Sequence, residues 1–232
     1  PSASPRASDS SPRISGRLAR LSGLVDRVVR QHGYPEPVAQ LVAEMLGLAG
    51  GLAATLKFDG VFSLQVQSQG PISLIVADVT HAGGMRAYAR FDAARVEEAA
   101  KEGGPAMPSF LGQGYLAFTV DQGPDTERYQ GIVALEGDTL AACAQHYFRQ
   151  SQQLDTALLL AAGRKDGAWR AASLLLQRLP VAPEPGEDAL DPWREAMLLM
   201  ATCGDAELLD LDLAPERLLY RPMYKRPHLD HV

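Results

Sequence analysis

FSLQVQSQGPISLIVADVTHAGGMRAYARF, residues 62–91, is the stretch that decides how this chain folds. Phe62, Leu64 and Val66 alternate with Ser63, Gln65 and Gln67, the two-residue period of a strand with one buried face and one wet face. Gln69-Gly70-Pro71 is turn chemistry, Ile72 to Val79 is a more apolar strand, and His81–Gly84 turns the chain into Met85–Phe91. Three strands joined this closely pair as an antiparallel meander, because a parallel pair needs a crossover of roughly a dozen residues or more.

Upstream, Val38, Leu41, Val42, Met45, Leu46, Ala49 and Leu52 recur at three- and four-residue steps. With Pro35 or Pro37 in its first turn, that segment is predicted to be a helix with one buried face. Ala49, Gly50, Gly51, Ala53 and Ala54 would let it lie close against a flat surface, a sheet. Ile14–Leu21 reads as a strand, followed by a short helix capped by Ser22 and ended by Gly33. Downstream, Ala93–Lys101 reads as a helix and Gly103–Ser109 as a loop, followed by strands at Tyr115–Val120 and Tyr129–Leu135. The segment Thr139–Gln150 carries Leu140, Cys143, Ala144, Tyr147 and Phe148 on one helical stripe. Thr156–Ala162 and Ala168–Leu179 form a hairpin around Lys165-Asp166-Gly167. Strands and helices without regular βαβ alternation define an α+β fold: a central, mostly antiparallel sheet packed with helices, followed by a helical linker segment.

Composition changes at Pro180, where PVAPEPGED reads as a stiff, acidic, proline-rich connector. Asp191 can cap a helix that has Pro192 at its first position and stops at Gly204. Trp193, Met197 and Met200 share one face of that helix while Leu198 and Leu199 lie off it, so it needs partners on two sides or is only marginally held. Pro215–Arg221 is a short basic segment. The expected organisation is a disordered Ser/Pro/Arg-rich arm over 1–13, an α+β core domain over 14–180, a helical linker over 181–222 and a frayed tail over 223–232.

The net charge of −6 argues against a nucleic-acid partner, since affinity for phosphates comes mainly from lysine and arginine. No apolar run approaches the roughly 18 residues of a membrane span, and the two cysteines, Cys143 and Cys203, fit a reducing, cytoplasmic compartment better than a disulfide framework.

No catalytic constellation stands out, and the expectation is a protein that is not an enzyme. Zinc ligation favours close-spaced cysteine or histidine pairs, and the sequence holds no Cys-X-Cys or Cys-X-X-Cys. His228 and His231 fall in a proline-broken tail; His32, His81 and His146 read as surface or packing residues. Cys143 sits on an apolar stripe, and Cys203 at a helix C-terminus, where the dipole would raise its pKa. Gly112-Gln113-Gly114 lacks the third glycine of a dinucleotide fingerprint. Lys57 with Asp59, and Asp121 with Asp125, are explained by turns and caps.

A set of segments, in order and with consistent spacing, carries more. GRLARL (16–21), LKFDG (56–60), QGPISLIVADV (69–79), RAYARFD (86–92) and GQGYLAFTVDQGP (112–124) are followed by RYQGIVALEG (128–137), HYFRQSQQLDT (146–156), WRAASLLLQRLP (169–180) and ERLLYR (216–221). Together they resemble the heat shock protein 33 family of redox-regulated holdase chaperones, over residues 14–221. The resemblance implies an ATP-independent chaperone that captures unfolded or aggregation-prone proteins under oxidative or heat stress, as a homodimer. It also implies a C-terminal module of four cysteines that hold zinc until oxidation releases it and the linker unfolds. This chain carries PMYKRPHLDHV (222–232) after ERLLYR and lacks that module. It is therefore expected to be a fragment of a longer protein or a variant without the sensor, with zinc expected only if the native protein carries the module.

The client-binding surface is expected at Trp193, Met197, Leu198, Leu199, Met200, Leu208 and Leu209. These residues either cover an apolar sheet face and come away on activation, or belong to an ordinary docked helix. The other functions to set against this are an inert dimeric core and a small-ligand-binding protein that reuses the fold, for which the sequence shows no convergent polar pocket.

Overall fold

In the computed structural model the residues described are 14–104, 106–123, 128–179 and 192–224, with side chains described to Pro222. Strands β1 (Ile14–Leu21), β2 (Val61–Ser68), β3 (Ile72–Thr80), β4 (Met85–Phe91), β5 (Gly114–Asp121), β6 (Tyr129–Ala134), β7 (Thr156–Lys165) and β8 (Ala168–Arg178) are all paired antiparallel. The meander of β2, β3 and β4 is as expected, and β5 adds to the free side of β2. The result is one sheet of order β4-β3-β2-β5-β6. Phe62, Leu64 and Val66 face inward, buried, while Ser63, Gln65 and Gln67 line the outer face.

The remaining strands do not join that sheet. They form a second one, β1-β8-β7, in which Ile14 lies opposite Arg178 and Leu21 opposite Ala171. The β7–β8 turn is Asp166-Gly167, both with positive φ (53° and 76°), as a two-residue hairpin of matching twist requires. The central strand β8 is apolar on both faces: Trp169, Ala171 and Leu175 enter one core, and Ala172, Leu174 and Leu176 enter another.

Between the sheets lies α2 (Glu36–Ala53), which touches both. One buried face was expected of it; instead Val38, Leu41, Val42, Met45, Leu46 and Leu48 are all fully buried, because two sheets cover most of its circumference and leave a strip at Glu36, Gln40 and Glu44 at least partly open. Close approach is set by Gly51, where an added Cβ would stand 2.2 Å from Ser173 Oγ.

Other elements depart from the sequence reading in detail. Ser22 makes no capping bond to α1 (Gly23–His32), although Gly33 ends it in the left-handed region at φ 58°. Helix α3 (Ala93–Glu102) is capped by the Asp92 carboxylate, which accepts from the Ala94 and Arg95 amides. The expected loop at 103–109 gives way from Ala106 to α4 (Ala106–Leu111), which forms because Met107, Phe110 and Leu111 share one buried face. The expected helix at 139–150 is α5 (Leu140–Tyr147) followed by a π-helical turn, Phe148–Gln152. Beyond the described gap come α6 (Pro192–Met200), α7 (Asp205–Leu208) and α8 (Pro215–Tyr224). The last of these runs two residues into the stretch read as a tail. The arm over 1–13, the Asp191 cap and the connector over 181–191 lie outside the described residues.

Candidate functional site

The small sheet buries its second face under the C-terminal helices. Ala157, Ala161, Ala172, Leu174 and Leu176 supply the floor, and Trp193, Ala196, Met200, Cys203, Leu208, Leu209 and Leu218 supply the cover. On α6 the contacting residues Trp193, Ala196 and Met200 follow the three- and four-residue steps of one helix face. Ile14 and Leu18 from β1 close the rim with Leu159, Leu213 and Leu219.

Polar contacts around that rim hold the cover to the sheet. Arg20 on β1 donates to the Leu213 carbonyl and, at 3.3 Å, to the Glu207 carbonyl. Arg170 on β8 donates to the Leu209 carbonyl at 3.1 Å and pairs with Asp166 at 2.8 Å. Lys165 at the end of β7 reaches Asp210 at 3.2 Å, and that hydrogen bond is the first cause holding the Asp210 carboxyl below its usual range. Within the cover, Arg221 on α8 pairs with Glu207 at 2.8 Å and donates to the Thr202 carbonyl. The Glu207 carboxyl is held down mainly by Arg221, then by the Gly204 amide.

The seven residues singled out in the sequence divide. Trp193, Met200, Leu208 and Leu209 are buried against the sheet, whereas Met197 is 37% exposed, Leu198 64% exposed and Leu199 half-buried. Three members were missed, the small Ala196 on the inward face of α6 among them. Leu218 is fully buried and comes from the segment read only as basic, and Cys203 is 6% exposed. The floor itself had a signal: the run AASLLL at 171–176 is apolar on both faces and broken only by Ser173, the mark of a strand buried on both sides.

Neither cysteine is set up to react. Cys143 is fully buried and donates to the Glu136 carbonyl at 3.2 Å; burial raises its pKa. Cys203 is also raised, as expected, but the first cause is burial, with Arg221 pulling the other way. A zinc site does not fit the residues at hand: the cysteines lie in separate clusters, and no group of three His, Cys, Asp or Glu suited to a metal occurs among the described residues. No described helix is long and apolar enough to cross a membrane. Asp121 accepts from the Gly123 amide and pairs with Arg128, and Asp59 lies 3.4 Å from His81 at the surface, so these acids serve turns and surface pairs.

The fold is thus an α+β core whose small sheet buries one face under α2 and the other under the C-terminal helices. The chain belongs to the Hsp33 family, whose sequence model matches residues 6–229. It is 41% identical over 214 residues to the 33 kDa chaperonin of Caulobacter vibrioides, covering 90% of this chain and 70% of that one. The 33 kDa chaperonin of Photorhabdus laumondii is 38% identical over 208 residues, with 90% and 68% covered. A crystal structure of the Hsp33 homologue of Thermotoga maritima superposes with a TM-score of 0.74 at 18% identity, covering 90% of this chain and 70% of that one, which shows the shared fold. The family is one of chaperones rather than enzymes, and this chain is a chaperone of that family.

Proposed function

We propose that this chain acts as an ATP-independent holdase whose client surface is the small-sheet face beneath α6–α8. The observation that carries the reading is the second apolar cluster, closed by a segment that follows a proline-rich connector. Trp193, Met200, Leu208 and Leu209 leave the floor when the cover departs, while Met197, Leu198 and Leu199 stay outward and meet the client first. Exposed apolar area of that kind captures unfolded chains, and methionine and leucine adapt to many partners.

In this reading residues 14–180 are the core, 181–222 the releasable linker, and the working unit is a cytoplasmic homodimer without nucleic-acid or membrane partners. Redox control belongs to the intact family protein, and zinc to its cysteine module. Suppression of light scattering from a heat-unfolded client, without ATP, tests the proposal. Suppression at near-stoichiometric ratio and independent of oxidant supports it; none would leave an inert core.

A further inference from the structure

A cleft of about 620 Å³ lies between the two sheets, at the C-terminal end of α2, within the roughly 300–1,000 Å³ of small-molecule sites. Leu21, Leu56, Phe58, Val79 and Met85 give it apolar walls, and small residues such as Gly50 and Ala53 keep it open. Its charged groups are all of one sign. Arg20, Lys57 and His81 line it, and among the described residues no carboxylate does. Thr80 adds a hydroxyl, which accepts from the Gly84 amide.

These basic groups are poorly supplied with counter-charge. His81 lies 3.4 Å from Asp59, which stands outside the lining with its side chain 92% exposed. Lys57 is exposed and has no hydrogen bond or ion pair among the described residues. Arg20 reaches from the cleft to the cover, where it donates to the Leu213 and Glu207 carbonyls. Both acceptors are neutral. Its Nε is shut off from solvent and has no partner among the described residues, a costly state for a donor. Burial pulls the Arg20 pKa below its ordinary value against Asp210, and Asp210 is itself paired with Lys165. The guanidinium is a half-buried charge short of an anion.

Two features that could bar an anion do not. The negative end of the α2 dipole points this way, but its last-turn carbonyls are engaged: Gly50, Leu52 and Ala53 accept from the Ala54, Thr55 and Leu56 amides. Lys57 and His81 are exposed, so a head group beside them keeps part of its water and avoids the full cost of burying a charge.

We propose that this cleft binds a small organic anion, an apolar body with one carboxylate-like head, and that the anion competes with the cover for Arg20. The walls take the body, and Lys57 and Arg20 take the head. An anion offers Arg20 a charged acceptor in place of two neutral ones, and charge-assisted bonds are the stronger kind. Because Arg20 then releases the Leu213 and Glu207 carbonyls, bound anion and docked cover disfavour each other reciprocally. The competition rests on the cover being releasable; binding in the cleft does not.

Octanoate is the probe, titrated into the full chain at neutral pH while the methyl resonances of Leu21, Val79 and Met85 are followed by NMR. Saturable shifts are expected, about tenfold weaker for 1-octanol, which has the body without the charge, and weaker again for octylammonium. Lys57→Glu, at an exposed position, should weaken octanoate about tenfold. At saturation, amide exchange in α6 should quicken while exchange in β2 and β3 holds. The shifts report the site and the exchange reports the cover, so failure of one is told from failure of the other. The absence of saturable shifts with octanoate overturns the proposal. So does 1-octanol binding as tightly as octanoate, undiminished octanoate binding in a folded Lys57→Glu protein, or unchanged α6 exchange at saturation.

Discussion

Truncating Leu218 to alanine should loosen the helical cover without unfolding the core. Leu218 is fully buried in the cluster between α8 and the small sheet, and it makes no part of the core around α2. Leucine-to-alanine changes at such sites cost about 2–5 kcal/mol, the transfer of the lost methyls plus the cavity left behind. At 1.4 kcal/mol per factor of ten, that raises the undocked population roughly thirtyfold to several thousandfold. If residues 192–224 open as a unit, amide hydrogen exchange in α6 should accelerate by that factor while exchange in β2 and β3 stays unchanged. Client suppression should rise in step, because the floor residues Leu174 and Leu176 become available more often. Uniform acceleration across both sheets would mean the cover is part of the global fold, and the releasable-cover reasoning would be wrong. Faster exchange in α6 with no gain in suppression would separate opening from client binding and refute the assigned surface.

Lowering the pH should loosen the cover as well. The Glu207 and Asp210 carboxyls are depressed by Arg221 and Lys165, so their contribution is complete above the ordinary carboxylate range and fades as pH falls through their folded values. The protection factors in α6, taken relative to the intrinsic exchange rate at each pH, should therefore fall from pH 6 toward pH 3.5, with a shallower slope in Glu207→Gln. Leu198→Ser, at a position 64% exposed, should change stability by no more than about 0.5 kcal/mol yet weaken client suppression; unchanged suppression removes Leu198 from the client surface. Gly51→Ala, which drives a Cβ to 2.2 Å from Ser173 Oγ, should cost about 1–3 kcal/mol of overpacking and lower Tm by several degrees. Adding Ser173→Gly should recover part of that loss in a thermal scan, because the two residues share one contact.

Local periodicity carried much of the fold. The alternation at Phe62–Val66 and the turn at Gln69-Gly70-Pro71 placed β2 and β3, and the apolar steps from Val38 to Leu52 placed α2, because pleat and helix repeat within a few residues. The π-helical turn was not visible, since Leu140, Cys143, Ala144, Tyr147 and Phe148 match an ordinary helical stripe until the hydrogen bonds shift register. The contact between Tyr129 and Gln152 went with it: the two lie on either side of α5, and only the fold brings their side chains together.

For the site, the sequence by itself determined that the C-terminal segment is rich in Trp, Met and Leu and that it follows a proline-rich break. It also determined that no close-spaced cysteine pair stands anywhere in the chain. Only the tertiary structure decided that β1 crosses the whole chain to pair with β8, that α2 is enclosed by two sheets, and which of the apolar residues on α6–α8 turn inward. A residue's period is fixed by its neighbours along the backbone. What its face packs against is fixed by whichever apolar surface remains uncovered, and here that was the second face of a sheet assembled from the two ends of the core.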